Sequence, residues 1–115
     1  MLTAKGRYGL GWIPDYPDFR DYTEGAEEVT SVLGPTGALK AKTLPVSVDL
    51  REHCSPVEDQ GGLGSCTAQA GVGMIEYYER KAFGRHIDAS RLFLYKVTRN
   101  LMKVKGDTGA YLRTT

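Results

Sequence analysis

The sequence predicts an α+β chain that is chiefly helical in its second half, and three observations carry that reading. Apolar residues recur at spacings of three and four over 66–83 and again over 90–104, the period of amphipathic helices. Val46, Val48 and Leu50 alternate with polar neighbours, as a short extended stretch would. Glycine supplies 14 of the 115 residues, well above the usual ~7 %. The glycines cluster, which favours special backbone geometry over long regular elements.

Residues 1–43 carry the weakest signal. Gly6, Gly9, Gly11, Pro14, Pro17, Gly25, Gly34, Pro35 and Gly37 interrupt them, and no helical period outlasts two turns. The run Trp12-Ile13-Pro14-Asp15-Tyr16-Pro17-Asp18-Phe19-Arg20-Asp21 mixes aromatic anchors with prolines and charges, as a segment laid extended across a surface does. The stretch 27–33 fits either a short strand or a helical turn. So long a stretch without strong elements is unusual inside a compact domain. Residues 1–43 therefore read as a leader or arm, and 44–115 as the folded part.

The folded part opens with the extended stretch 44–51. Ser55-Pro56-Val57 and Gly61-Gly62-Leu63-Gly64 then make a tight loop. In the helix expected over 66–83, Cys66, Ala70, Met74 and Tyr77/Tyr78 share one face. Gly71 and Gly73 lie inside it, each costing about 1 kcal/mol against alanine, so the helix is expected to be buried and closely packed in return. Gly84 is a natural stop. Ser90 is the candidate N-cap of the helix over 90–104. Leu94, Val97 and Leu101 share its inner face with Phe93 and Val104 beside them, and Gly106 ends it. Asp107-Thr108-Gly109 reads as a turn.

Charge excludes some functions. The chain holds 15 basic and 14 acidic residues, a net charge of +1, so nucleic-acid binding driven by bulk charge is not expected. Six basic residues stand against Asp88 alone in 83–105. That block reads first as a solvated helix face and second as a basic docking surface. No apolar run approaches the ~18 residues of a membrane span, and residues 1–7 open onto Tyr, Gly and Trp rather than the apolar core of a secretory leader. Two cysteines make no disulfide framework. Together these favour the cytoplasm. Without spaced Cys/His pairs no metal site is expected. Without Gly-Lys-Ser/Thr after the glycines there is no phosphate loop. No cofactor is expected.

The chemistry lies in Pro56-Val57-Glu58-Asp59-Gln60-Gly61-Gly62-Leu63-Gly64-Ser65-Cys66-Thr67-Ala68. One cysteine is placed in the expected first turn of a helix, behind a glycine-rich loop. A helix N-terminus favours thiolate over thiol. The glycines allow a sharp turn and close approach of a substrate. The Cys66 N–H and the Gln60 amide are donors suited to a tetrahedral oxyanion. The residues alone also permit a buried structural thiol at Cys66 and a loop-capping amide at Gln60.

Gln60, Gly61, Gly64, Ser65 and Cys66 resemble the signature of the papain-like (C1) cysteine peptidases, in which Gln is the oxyanion donor and Cys the nucleophile. The resemblance covers 44–115. Residues 44–51 with Pro56-Val57 resemble the start of the mature enzyme, and Ser90 the start of its second helix. Gly106-Asp107-Thr108-Gly109 is similar to the loop whose glycines hold substrate backbone. The resemblance implies a papain-like α+β fold, here chiefly its helical N-terminal lobe. It also implies Cys66 and Gln60 as catalytic residues, and Gly64, Ser65, Asp107 and Gly109 as substrate-binding ones. Leu63 replaces a disulfide-forming Cys, and Thr67 replaces Trp or Tyr. Both changes, with the Gly-Trp-x-Pro-Asp-x-x-Asp-x-Arg-Asp run at 11–21, resemble bacterial and archaeal members of the family.

The family's His base and the Asn that orients it stand roughly 130–150 residues beyond the Cys, a distance this chain does not reach. The expected partners are therefore a peptide or protein substrate and the missing C-terminal lobe, from the same longer chain or from another. His53 and His86 read as surface or interface histidines rather than as a base, and Cys54 as a spare thiol. Three functions follow: a cysteine peptidase acting through an acyl-enzyme on Cys66, an inactive peptidase-derived binding module, and a thiol acyltransferase or transpeptidase on the same fold.

Overall fold

A computed structural model describes residues 10–40, 43 and 45–115. The opening heptad and Leu44, at the head of the expected extended stretch, lie outside the described residues. The chain divides into two compact units. One joins residues 10–15 to 50–115, and the other is Tyr16–Asp49. The units therefore do not part at residues 43 and 44.

The smaller unit contains α1 (Glu27–Leu33), so the stretch that fitted strand or helix is a helix. Its first turn carries Glu27 and Glu28, which suit the positive helix end. Ahead of it, Arg20 grips the Asp18 carboxylate at 2.6 and 2.8 Å. Tyr22, Val29, Val32 and Leu33 line a small apolar hollow. Val46 and Val48 are exposed, and residues 45–50 form no strand. Among the described residues the expected extended stretch therefore joins no sheet for its alternation to face.

The larger unit runs β1 (Trp12–Ile13), a short 3-10 turn (Arg51–His53), α2 (Cys66–Phe83), α3 (Arg91–Leu101) and β2 (Ala110–Tyr111). β1 and β2 pair in parallel, Trp12 opposite Ala110 and Ile13 opposite Tyr111. α2 has the expected ends. Gly84 closes it in the left-handed region at φ 71°, and Arg80 and Lys81 place positive charge in its last turn. Ser90 caps α3, accepting the Phe93 N–H at 3.2 Å. α3 is shorter than expected: it stops at Leu101, and Lys103 turns the chain at φ 57° before Gly106 is reached.

The buried faces differ from those the apolar spacing predicts. α2 buries Thr67, Ala68, Val72 and Glu76, while Met74 and Tyr78 are 59 % and 60 % exposed. α3 buries Arg91, Tyr95, Thr98 and Arg99 and leaves Phe93 and Leu101 outside. The close packing expected of the helix glycines holds for Gly71, where a Cβ would meet Leu94 and Thr115 at 3.3 and 3.4 Å. At Gly73 a Cβ would meet nothing. The apolar core is small: Ala68, Tyr95 and Ala110, with Leu63, Leu94 and Met102 packed on it.

A buried ion pair completes the join between the helices. Glu76 on α2 receives Arg91 Nη2 at 2.8 Å, the Ala89 N–H at 3.2 Å and a hydrogen bond from Ser55. Burial pushes the Glu76 carboxyl up, but the hydrogen bonds from Ser55, Arg91 and Ala89 and the Arg91 charge outweigh it and hold the group below its ordinary value. Arg91 also meets Glu58 at 3.0 Å and Asp88 at 3.2 Å. Arg91 and Arg99, both from the basic block, are thus buried and engaged rather than solvated.

Candidate active site

Cys66 is the first residue of α2 and is partly exposed. Its N–H belongs to the turn whose donors have no intrahelical acceptor, at the positive end of the helix. An oxyanion is favoured at such a place. The loop before it is braced from within. Ser65 N–H donates to the Leu63 carbonyl at 2.9 Å, and Gln60 Nε2 donates to the same carbonyl at 2.7 Å. Gly61 turns the chain at φ 60°, with its N–H on Asp59 Oδ1 at 2.8 Å. The Ser65 hydroxyl is buried and has no hydrogen-bond partner among the described residues. It does not cap α2.

A second set of contacts ties this loop to the one before β2. Gly64 N–H donates to both carboxylate oxygens of Asp107, each at 3.0 Å. The Tyr95 hydroxyl donates to Asp107 Oδ1 at 2.6 Å and accepts the Gly109 N–H at 3.2 Å. Arg99 donates to the Gly109 carbonyl through Nη1 and to Thr108 Oγ1 through Nη2 at 3.1 Å, with its guanidinium 5.4 Å from the Tyr95 ring centre. Burial and the hydrogen bond to Asp107 raise the Tyr95 pKa above its ordinary value, which keeps the phenol protonated and donating to Asp107. The expected turn residue Asp107 thus spends its carboxylate on the chain itself.

Three glycines from distant parts of the sequence meet at the same junction. A Cβ on Gly11 would lie 1.7 Å from the Gly64 carbonyl oxygen, and one on Gly109 would lie 2.2 Å from the Gly11 oxygen. Gly109 also sits at φ 84°, where side chains are strained. The Ala110 N–H donates to the Gly11 carbonyl at 2.7 Å, which begins the β1–β2 pair. The expected reason for glycine here was a sharp turn and close approach of a substrate. The structure adds a second reason, close approach by residue 11 of the same chain.

Gly64 and Gly109, expected at the site, therefore adjoin each other, Asp107 joins them, and Gln60 braces the loop that leads through Ser65 to Cys66. The histidines stand elsewhere. His53 packs edge-on against Tyr77, ring centres 5.8 Å apart, and His86 Nδ1 accepts from Arg80 Nε at 3.2 Å. Tyr77 and Arg80 lie about 16 and 21 Å along α2 from Cys66 at 1.5 Å per residue. Among the described residues no group of three or more His, Cys, Asp or Glu is placed to hold a metal ion. Among the described residues no helix is long and apolar enough to cross a membrane. Sequence reasoning missed Tyr95, Arg99 and Gly11. Tyr95 and Arg99 sit at helical spacing of four, and a polar pair at that spacing was the available signal.

No family model and no solved structure matches this chain. The chain is similar to an uncharacterized peptidase C1-like protein of Acanthamoeba polyphaga mimivirus, 33% identical over 122 residues, which covers 99% of this chain and 39% of that protein. It is also similar to the thiol protease aleurain of Arabidopsis thaliana, 29% identical over 101 residues, covering 78% of this chain and 28% of that protein. The chain thus spans well under half the length of these relatives. Their names support a cysteine-peptidase family at low identity, and a structure of helices with little strand is consistent with an α+β fold or its helical lobe.

Proposed function

We propose that this chain forms the helical N-terminal lobe of a papain-like cysteine peptidase of bacterial or archaeal type, with Cys66 as nucleophile. The observation that carries the reading is the position of Cys66 as the first residue of α2, behind a loop whose backbone is hydrogen-bonded on both sides. Cys66 Sγ attacks the peptide carbonyl as thiolate, and the acyl–sulfur bond forms as the amine leaves. The Cys66 N–H serves the oxyanion, joined by the Gln60 amide once Nε2 exchanges the Leu63 carbonyl for it. The proton passes through a His from beyond residue 115, oriented by an Asn, both on the missing lobe. Reaction of the chain with a peptidyl epoxide, followed by mass spectrometry, tests the assignment: Cys66 is alkylated ahead of the exposed Cys54. Preferential labelling of Cys54 overturns it.

Residues 1–43 act as an inhibitory leader. The support is the seat of Gly11 against Gly64 and Gly109 and the pairing of Trp12–Ile13 with Ala110–Tyr111. Deleting 1–43 from a complete enzyme raises its rate, and an unchanged rate removes the idea.

The exposed face of α2, with Ala70, Met74 and Tyr78 outward, supports a second reading, an inactive peptidase-derived module that binds a partner there. Substitution Cys66→Ala separates the readings, since a binding module keeps its partner affinity. A transpeptidase on the same fold is distinguished by a competing amine, which diverts the acyl group from water.

A further inference from the structure

We infer that Asp107 is a positioning residue: its carboxylate, held by Tyr95, fixes the backbone of the loop that delivers Cys66 to the start of α2. The inference rests on the reading of Cys66 as nucleophile. Gly64 lies two residues before Cys66, and its N–H is held by both Asp107 oxygens across 43 residues of sequence. Asp107 is itself fixed by the Tyr95 hydroxyl from the buried face of α3. The next loop residues are anchored independently, Thr108 and Gly109 by Arg99 and Gly109 also by Tyr95. The loop is therefore referenced to α3 rather than left to its own glycines. Leu63, which packs on the core beside it, offers no covalent tie. A loop containing Gly61, Gly62 and Gly64 has wide backbone freedom, which the Gln60 brace limits at Leu63. Without an outside anchor it would not hold the Cys66 N–H in one direction. Donor direction matters for acyl transfer, where charge builds on a carbonyl oxygen, and not for simple alkylation of the thiol.

That difference supplies the test, made on the full chain carrying Cys54→Ser. Two reactions of Cys66 are timed. In acylation by p-nitrophenyl acetate the sulfur–carbon bond forms, the ester carbon–oxygen bond breaks, and p-nitrophenolate leaves with the electron pair. In alkylation by iodoacetamide, sulfur displaces iodide and no oxyanion forms. Asp107→Ala is expected to slow acylation about tenfold, less than the loss of a whole oxyanion donor, with alkylation changed less than twofold. Asp107→Asn keeps the Oδ1 that Tyr95 and Gly64 share and is expected to recover most of the acylation rate. Tyr95→Phe, which leaves the carboxylate held by Gly64 alone, falls between. Exchange of the Gly64 amide speeds up in Asp107→Ala, while the Val72 and Thr98 amides keep their protection. Equal losses in both reactions, or no loss in either, overturn the inference. If the unsubstituted chain acylates, relative to its alkylation, no faster than free cysteine, the nucleophile reading itself fails. The inference then falls with it, a result distinct from a normal parent with an indifferent Asp107→Ala.

Discussion

The α2–α3 interface and the loop junction before Cys66 are both built from polar groups, and they hold their parts in different ways. Between the helices, a carboxylate 1 % exposed meets a guanidinium 8 % exposed, and Glu58 and Asp88 share the same arginine. At the junction the closest contacts are backbone to backbone, Gly11 on Gly64 and Gly109, with Asp107, Tyr95 and Arg99 hydrogen-bonded around them. Charges on long side chains hold two helices together while tolerating small shifts of either. Crossed backbones tolerate no added atom. The part nearest Cys66 is the part with the least room for adjustment.

The largest effect should come from adding one methyl group at the crossing. Gly109→Ala places a Cβ within 2.2 Å of the Gly11 oxygen at φ 84°. The loss expected in urea denaturation is about 4 kcal/mol, at the upper end for one substitution. In a chain lacking residues 1–15 the clash is gone and only the left-handed conformation remains, so the same substitution should cost about 1–2 kcal/mol. Equal costs in the two backgrounds would mean that the crossing with Gly11 is not what demands glycine.

The ion pair should rank second. Glu76→Gln leaves Arg91 buried with its two more exposed partners, a loss of about 3 kcal/mol at neutral pH. The sign with pH follows from the direction of the shift. The Glu76 carboxyl is held below its ordinary value, so its contribution is complete above the unfolded carboxylate range and disappears as pH falls through the lowered folded value. The stability gap between parent and Glu76→Gln should therefore narrow in acid. Urea midpoints measured from pH 7 down to pH 3 check this, and a gap independent of pH would assign the loss to packing.

These two regions also divide what was legible in the sequence. Three of the four ends of α2 and α3 were legible because they depend on local chemistry: Cys66 after the glycine loop, Gly84 beyond Phe83, and Ser90 before Arg91; the end of α3 at Leu101 came earlier than expected. The glycine loop with Cys66 at the helix start was legible for the same reason. Helix faces were not. Periodicity assigns apolar residues inward, but Glu76 and Arg91 satisfy each other across 15 residues of sequence, a pairing no local window contains. The apolar side of α2 at Met74 and Tyr78 stays more than half exposed. The β1–β2 pair escaped notice because two residues per strand are too few to alternate. Asp107 read as an ordinary turn residue because its partners Gly64 and Tyr95 lie on other elements.

The smallest effects test the comparison at the two helix starts. Both α2 and α3 follow a serine, and only one serine acts as a cap. Ser90 Oγ accepts the Phe93 N–H, so Ser90→Ala should cost about 1 kcal/mol. Ser65 Oγ is buried, makes no cap and has no partner among the described residues. A buried hydroxyl without a partner carries a penalty of about 1–3 kcal/mol, which Ser65→Ala removes at the expense of a small void. That substitution should be neutral or slightly stabilising in the same urea measurement. A loss at Ser65 as large as that at Ser90 would show that the hydroxyl is engaged after all. The start of α2 would then be held by its own cap, and the anchoring of its loop through Asp107 and Tyr95 would carry correspondingly less.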